Sequence, residues 1–379
     1  MSAVAKLHQA AEAAAEPPVV AALLDWYDKA RRELPWRKAP GVKADPYAVW
    51  LSEVMLQQTT VKAVIPYYHN FLFLWPTVEA LAKAHRDDVM RAWAGLGYYS
   101  RARNLHDCAK VVVEQHGGRF PGTEAELLSL PGVGPYTAAA IAAIAFNAPA
   151  MPVDGNVERV MARLHAVETP LPEAKPELKA LARNLLTAKR PGDLAQALMD
   201  LGATVCAPRR PSCMICPLEA FCRGRAQGLA SILPHRKAKA ERPVRRGVAF
   251  LALSERGEVL LRQRADDGLL AQMMEIPSTA WIEEWVGEDE ALRDAPVKAR
   301  WWPVPGRVTH TFTHFKLELI VYRALVPAGT PLTLWAGQER CKWVPRRELR
   351  RRRCPRSCAR RSRTASMAPA ANSVTSDYM

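Results

Sequence analysis

Four cysteines lie within one short stretch, Cys206, Cys213, Cys216 and Cys222, spaced C-x6-C-x2-C-x5-C. Thiolates are soft ligands, so the guests to weigh are zinc and an iron–sulfur cluster. A pair of disulfides is the third reading, opposed by the lack of a secretory signal upstream. Four-cysteine zinc sites also use close pairs such as Cys213-x2-Cys216, so spacing leaves the guest open. A second group with chemical content is Asp154, set between Val153 and Gly155. That is an awkward place for a purely solvated charge. Its simpler role is to cap a helix over Val157–Leu164.

These groups must be held by helices. Residues 17–230 show apolar positions recurring at three and four, punctuated by Pro and Gly, which predicts helix after helix. Glu124–Leu130 and Tyr136–Phe146 are two of them. Between them runs Leu130-Pro131-Gly132-Val133-Gly134. Two glycines allow a tight turn with its N–H groups facing outward, and Pro135 suits the first helical position. A helix N-terminus opening from such a turn favours an anion, so the hairpin can hold a phosphate without a charged side chain. A simple helix–helix turn is the alternative.

The chain has 379 residues, which points to two domains. Lys and Arg number 53 against 38 Asp and Glu, a net charge of +15 that favours a polyanionic partner, nucleic acid first. About half of that excess sits in residues 350–363, which carry eight arginines and no acid. Residues 1–16 are Ala-rich with charges of both signs and no apolar run, and are expected to be disordered. The longest apolar stretch, Ala138–Phe146, is far too short to span a bilayer, which predicts a soluble cytoplasmic protein.

Taken together, Leu130–Ala138, Asp154 and the Cys206–Cys222 run resemble the helix-hairpin-helix superfamily of base-excision DNA glycosylases that carry a [4Fe–4S] cluster. The cysteine spacing matches residue by residue, so the resemblance implies that cluster on Cys206, Cys213, Cys216 and Cys222. The endonuclease III branch has a lysine where this chain has Tyr136, and a tyrosine cannot form its Schiff base. Leu34-Pro35-Trp36-Arg37, Leu51–Thr59 and Gly95–Asn104 resemble the MutY-type adenine DNA glycosylases, which remove adenine mispaired with 8-oxoguanine. The resemblance runs from about residue 20 to about residue 345.

It implies a division of labour. Releasing adenine needs a proton on the base and negative charge near C1′ of an oxocarbenium-like sugar. Glu53, embedded among Trp50, Val54, Met55 and Leu56, would supply the proton; from its own sequence context, an exposed helix glutamate is the plainer reading. Asp154 would stabilise the cation, with Tyr136 and Asn156 beside it. Arg37 would hydrogen-bond the flipped adenine. Gln58 and Tyr98 would fill the gap in the stack, with Gln57, Arg101, Gly132, Gly134 and Thr137 as further DNA contacts. Arg101 either neutralises a phosphate or solvates a helix face. The partner implied is double-stranded DNA with an adenine:8-oxoguanine or adenine:guanine mismatch, bound by a monomer that works on the bacterial nucleoid.

After a linker at 231–246 the texture changes to mixed α/β. Gly247–Leu253 and Glu258–Arg264 flank a Ser-Glu-Arg-Gly turn and predict a hairpin, and Phe315–Tyr322 alternates with a strand period. Residues 247–349 are similar to Nudix hydrolases, and His310–His314 resembles the Phe-Ser-His loop that reads 8-oxoguanine, here Phe312-Thr313-His314. Glu275, Glu283, Glu284, Glu288 and Glu290 do not form the magnesium-binding Nudix pattern, which implies recognition without hydrolysis. The resemblance stops after Leu349. Back-translating the Arg-rich run with permissible codons and shifting by two nucleotides restores an Ala-rich turn, a Pro-Ser step and a Met-Arg-Lys run, the ending typical of the family. Residues 350–379 are thus expected to be a disordered frameshift product; a genuine polybasic DNA-binding arm is the competing reading.

Overall fold

The computed structural model describes residues 17–187, 189–237, 241–265, 268–270, 273–333 and 338–351. The expectations for residues 1–16, and for the tail beyond residue 351, lie outside them. The chain divides into two compact units, Met1–Ala238 and Lys239–Met379.

The first unit is helical. α1 (Pro18–Ala30) buries Val20, Leu23, Leu24 and Tyr27, the i, i+3, i+4, i+7 stripe of an amphipathic helix. α2 (Pro46–Leu56) starts where Asp45 accepts the Tyr47 N–H at 3.2 Å and Pro46 takes the first helical position. It is buried nearly all round, from Tyr47 to Met55. α3 (Val61–Leu74), α4 (Val78–Lys83) and α5 (Arg86–Ala92) follow, each with a polar residue at its N-cap. α6 (Ser100–His116) ends in a left-handed Gly117.

The hairpin is built by α7 (Glu124–Leu127) and α8 (Pro135–Phe146). The first helix is shorter than its expected span to Leu130. The Thr123 hydroxyl caps it, accepting the Glu126 N–H at 3.3 Å and donating to the Glu126 carboxylate at 2.6 Å, and the chain turns after Leu127 to enter the glycine bend. Gly132 has φ +74°, and a Cβ there would come within 2.6 Å of the Asn104 side chain. The bend therefore requires glycine both for its backbone and for its approach to α6. α8 is buried on nearly every side, so it forms the axle of the unit. α9 (Gly155–His165), α10 (Lys175–Arg183) and α11 (Pro191–Thr204) pack a second core with α1, through Leu24, Met161, Leu178 and Leu198. A cysteine-bearing loop with two 3₁₀ turns, Cys213–Ile215 and Glu219–Phe221, leads into the short α12 (Arg223–Ala226).

The second unit is a mixed sheet. β1 (Val244–Ser254) and β2 (Glu258–Gln263) are antiparallel, with Leu253 opposite Val259, as the hairpin pattern predicts. β1 starts inside the expected linker, because Val244–Arg246 pair with Lys316–Glu318. β3 (Met274–Glu275), β4 (Trp302–Thr311), β5 (Lys316–Val326) and β6 (Cys341–Pro345) complete the sheet. The order is β3-β2-β1-β5-β4, with β6 also on β2. Among the described residues β1 and β5 are the one parallel strand pair, and both sheet faces are covered, which is why β1 reads as a near-continuous apolar run. α13 (Glu288–Arg293) packs Ala291 near Val248, Phe250 and Tyr322. The fold is thus a helical helix-hairpin-helix unit followed by a Nudix-like one. Among the described residues no helix is long and apolar enough to cross a membrane.

Candidate active site and cysteine loop

One cavity of about 390 Å³ in the helical unit is lined by Trp36, Arg37, Glu53, Tyr136, Asp154 and Asn156, among others. These residues come from the α1–α2 loop, α2, α8 and the start of α9. Glu53 is only 6% exposed. The reading of an exposed helix glutamate fails because α2 has no solvent face along this turn. Burial raises the Glu53 pKa from 4.5 to about 7, against the Tyr136 hydroxyl and Arg37, which lower it, while Asp154 adds to the rise. Burial also holds the Tyr136 hydroxyl well above its usual range, and the charges of Glu53 and Asp154 push the same way. Tyr136 therefore stays a hydrogen-bond donor to Glu53. Its oxygen also lies 3.8 Å from Met199 Sδ.

Asp154 does cap α9, and it also lines the cavity. Its Oδ1 accepts from the backbone N–H groups of Asn156 and Val157 at 2.9 and 2.8 Å, and its Oδ2 from Asn156 Nδ2 at 2.8 Å. The cap and the chemical candidate are one residue: three donors fix the carboxylate at a helix N-terminus, where negative charge is favoured. Gly202 on α11 makes room for this turn, since a Cβ there would meet Asn156 at 2.6 Å.

Four other residues of this unit named from sequence stand differently than expected. Arg37 lines the cavity, but both its Nη atoms donate to Asp200, Nη2 to Oδ1 at 2.8 Å. Thr137 is 2% exposed and its hydroxyl accepts from Gln57 Nε2 at 3.1 Å, so these two expected DNA contacts bind one another. Arg101 is neither on a solvated face nor free for a phosphate. It is 8% exposed, and its guanidinium is spent on carbonyls of neighbouring turns, because the start of α6 lies against the end of α2. Gln58 and Tyr98 are exposed and have left-handed backbones, φ 56° and 48°. For residues with a Cβ that costs about 1–2 kcal/mol each. Gly132 and Gly134 stand at the hairpin bend with accessible backbone.

Two functional candidates were missed. Asp200 is 0% exposed and takes the Arg32 N–H at 2.9 Å, Arg32 Nε at 2.5 Å and the Arg37 fork. Burial disfavours its charge, but Arg37 and Arg32 overcome this and hold its carboxyl below the usual value. No local pattern marks it. Arg159 donates to Asn156 Oδ1 at 2.9 Å, the Gly202 carbonyl at 2.5 Å and the Cys206 carbonyl at 2.8 Å. It was legible as the i+3 neighbour of Asn156 on one helix face.

Cys206, Cys213, Cys216 and Cys222 line one small pocket and are free thiols. Burial raises the thiol pKa values of Cys216, to about 11, and of Cys222, and the neighbouring thiols raise them further. Arg163 Nη1 lies 3.2 Å from Cys206 Sγ and also donates to the Ala207 carbonyl at 2.8 Å. Four soft donors that line one pocket beside a buried guanidinium are the donor type of an anionic thiolate-ligated group. Among the described residues no three His, Cys, Asp or Glu side chains are drawn close enough to hold a single metal ion.

In the second unit, Phe312 donates its N–H to the Phe315 carbonyl at 2.8 Å and stacks on that ring at 4.7 Å. Thr313 and His314 are exposed at the loop tip. Glu275 is buried and taken by Arg262 Nε at 2.9 Å and Arg264 Nη1 at 2.6 Å.

Comparison with known proteins agrees with this architecture. The HhH-GPD superfamily base excision DNA repair protein family matches residues 51–186, and the NUDIX domain family matches residues 248–360. Adenine DNA glycosylase from Homo sapiens is 39% identical over 382 residues, covering 84% of this chain and 70% of the human protein. The chain belongs to the adenine DNA glycosylase family. The enzyme of that name from Rattus norvegicus is 38% identical, covering 82% of this chain and 70% of the rat protein. That from Mycolicibacterium smegmatis is 44% identical over 206 residues, 54% of this chain and 69% of the relative. A solved thermostable thymine-DNA glycosylase is 31% identical, covering 55% of this chain and 95% of its own, with a TM-score of 0.49. As a member of the adenine DNA glycosylase family the protein is a DNA glycosylase of base excision repair.

Proposed function

We propose that this glycosylase acts on adenine opposite 8-oxoguanine or guanine and releases the base without cutting the strand. The carrying observation is one cavity in which Glu53, with its pKa near 7, Tyr136 and Asp154 converge. Glu53 in its neutral form donates a proton to the adenine ring, which makes the base a leaving group. Tyr136 orients that carboxyl. Asp154, pinned by Asn156 and the first turn of α9, faces the developing sugar cation and stabilises it electrostatically. As the bond from adenine to C1′ breaks, water adds to C1′ and its proton returns to the Glu53 carboxylate. A hydroxyl at position 136 supplies no amine, so no Schiff base forms there.

Extruding adenine costs a few kcal/mol, offset by Gln58 and Tyr98 entering the stack. Gly132 and Gly134 present hairpin N–H groups to a phosphate. Arg37 forms part of the adenine pocket wall. In the second unit Phe312, Thr313 and His314 read the opposite base, and the occupied Glu275 supports recognition without magnesium-dependent hydrolysis. Cys206, Cys213, Cys216 and Cys222 hold a [4Fe–4S] cluster, which when bound braces the loop that carries the exposed Arg209 and Arg210. The purified protein then carries about four irons and is yellow-brown; one zinc in a colourless protein counts against the cluster. The enzyme works as a monomer on nucleoid DNA in the cytoplasm.

The test is a duplex with adenine opposite 8-oxoguanine. Adenine is released, the strand stays intact until treated with alkali, and borohydride traps little covalent adduct. Efficient trapping overturns the monofunctional reading.

A further inference from the structure

Gln58 and Tyr98 lie forty residues apart in sequence, on two different turns, and both hold the left-handed backbone that residues with a Cβ avoid. One side chain ties the two turns together. Arg101 Nη1 donates to the Val54 and Met55 carbonyls, both at 3.0 Å. Its Nη2 donates to Thr59 Oγ1 at 3.2 Å, the Leu96 carbonyl at 3.3 Å and the Gly97 carbonyl at 3.2 Å. Thr59 follows Gln58 directly, and Gly97 precedes Tyr98 directly. The guanidinium also lies over the rings of Trp93, at 5.2 Å, and of Tyr98 itself, at 5.6 Å.

The partners are unusual for a buried cation. Among the described residues its acceptors are all carbonyl or hydroxyl oxygens, and its Nε finds no partner. The Val54 and Met55 carbonyls belong to the last turn of α2, the negative end of that helix, which makes the charge tolerable. Mere packing at this point would be met by an apolar side chain. Arg101 instead spans a gap between two exposed turns and fixes the backbone on either side of it. It also refers both turns to α2, the helix that carries Glu53.

We propose that Arg101 is a positioning residue that couples Gln58 and Tyr98 into one rigid wedge, so that both enter the DNA stack together and in register with Glu53. This rests on the reading of Gln58 and Tyr98 as the residues that replace the extruded adenine. Held apart, each turn would relax out of its left-handed conformation, and the two side chains would have to be ordered at the moment of binding.

The test uses the full-length protein and a duplex with 2-aminopurine in place of adenine opposite 8-oxoguanine, whose fluorescence rises when the base leaves the stack. Gln58→Ala, Tyr98→Ala and Arg101→Lys each lower the fluorescence gain. Adding either wedge substitution to Arg101→Lys causes little further loss, so the coupling amounts to about tenfold between the Arg101 and wedge effects. Thr59→Val, which removes one hydroxyl acceptor and no charge, shows a smaller loss in the same direction, and it serves as the test should Arg101→Lys fail to fold. Losses that simply multiply mean that Arg101 only supports the fold, and overturn the coupling. So does an unchanged fluorescence gain with a salt dependence of binding shallower by about one, the mark of a lost phosphate contact. If Gln58→Ala and Tyr98→Ala leave extrusion intact in the native background, the wedge reading itself falls and the coupling with it.

Discussion

At the scale of single residues, the site is two carboxyl groups in opposite surroundings. Glu53 sits on a helix with no wet face; Asp154 accepts three N–H groups at a helix start. Asp154→Asn keeps the shape and removes the charge, so adenine release from the mismatched duplex falls by about 100-fold or more while binding persists. Glu53→Gln removes the proton donor and costs about 100- to 10,000-fold in single-turnover rate. Release at a near-native rate by either variant would remove that residue from the mechanism. The raised Glu53 pKa also fixes a pH dependence. The carboxyl titrates at about 7 in the fold and at 4.5 in the unfolded chain, so the folded state binds the extra proton between those values. Its contribution is full below pH 4.5 and is lost as pH rises through 7. Glu53→Gln, permanently neutral, is then more stable than the parent at pH 8.5 by on the order of 3 kcal/mol, with the difference vanishing near pH 4.5. Denaturant midpoints at the two pH values check it, and an equal difference at both would refute the buried, neutral Glu53.

At the scale of elements, turns and caps decide which side chains meet. Much of this was legible: Pro135 and Gly134 mark the start of α8, Asp154 the start of α9, and the alternation of Leu317, Leu319 and Val321 the inner face of β5. What was not legible depends on pairs distant in sequence. Nothing near Asp200 announces that it will hold Arg32 and Arg37, nor does the pattern Tyr98–Asn104 reveal that Arg101 points inward under two turns. A charged residue on a helix reads as solvated until the neighbouring helix end supplies carbonyls to bind it. The hairpin gives the element-scale prediction. Gly132→Ala forces a Cβ onto a backbone with φ +74° and into Asn104, so it destabilises the protein by about 1 kcal/mol or more. The bend shifts with it, and on the proposed contact of the hairpin N–H groups with phosphate rather than bases, affinity falls alike for matched and mismatched duplexes. A loss confined to mismatched DNA would contradict that role.

At the scale of the whole molecule, two units share one chain. Residues 1–238 contain the cavity and the cysteine loop, and residues from 239 carry the Phe312-Thr313-His314 loop. A chain ending at residue 238 keeps activity on adenine opposite guanine and loses preference for adenine opposite 8-oxoguanine, by about 1–3 kcal/mol of discrimination. His314→Ala shows the same bias more weakly. Equal losses on both substrates would mean that the second unit only supports the first. The NUDIX match runs on to residue 360, into the Arg-rich segment. Resequencing the gene around the Leu349 codon decides whether that segment is encoded as written; an intact frame, with weaker DNA binding after truncation at Leu349, supports a functional arm.

The Asp200 carboxylate joins α11 to Arg32, 168 residues earlier in the chain. The cavity lined by the Arg32 and Arg37 that it holds draws on segments scattered from Arg32 to Met199. Such long-range closures form late, because the entropy of each loop is lost before its contacts form. A ribosome-bound or partly refolded chain therefore has Glu53 and no pocket around it. The proposed chemistry is thereby confined to molecules whose helical unit has finished folding, since no earlier species has the whole cavity.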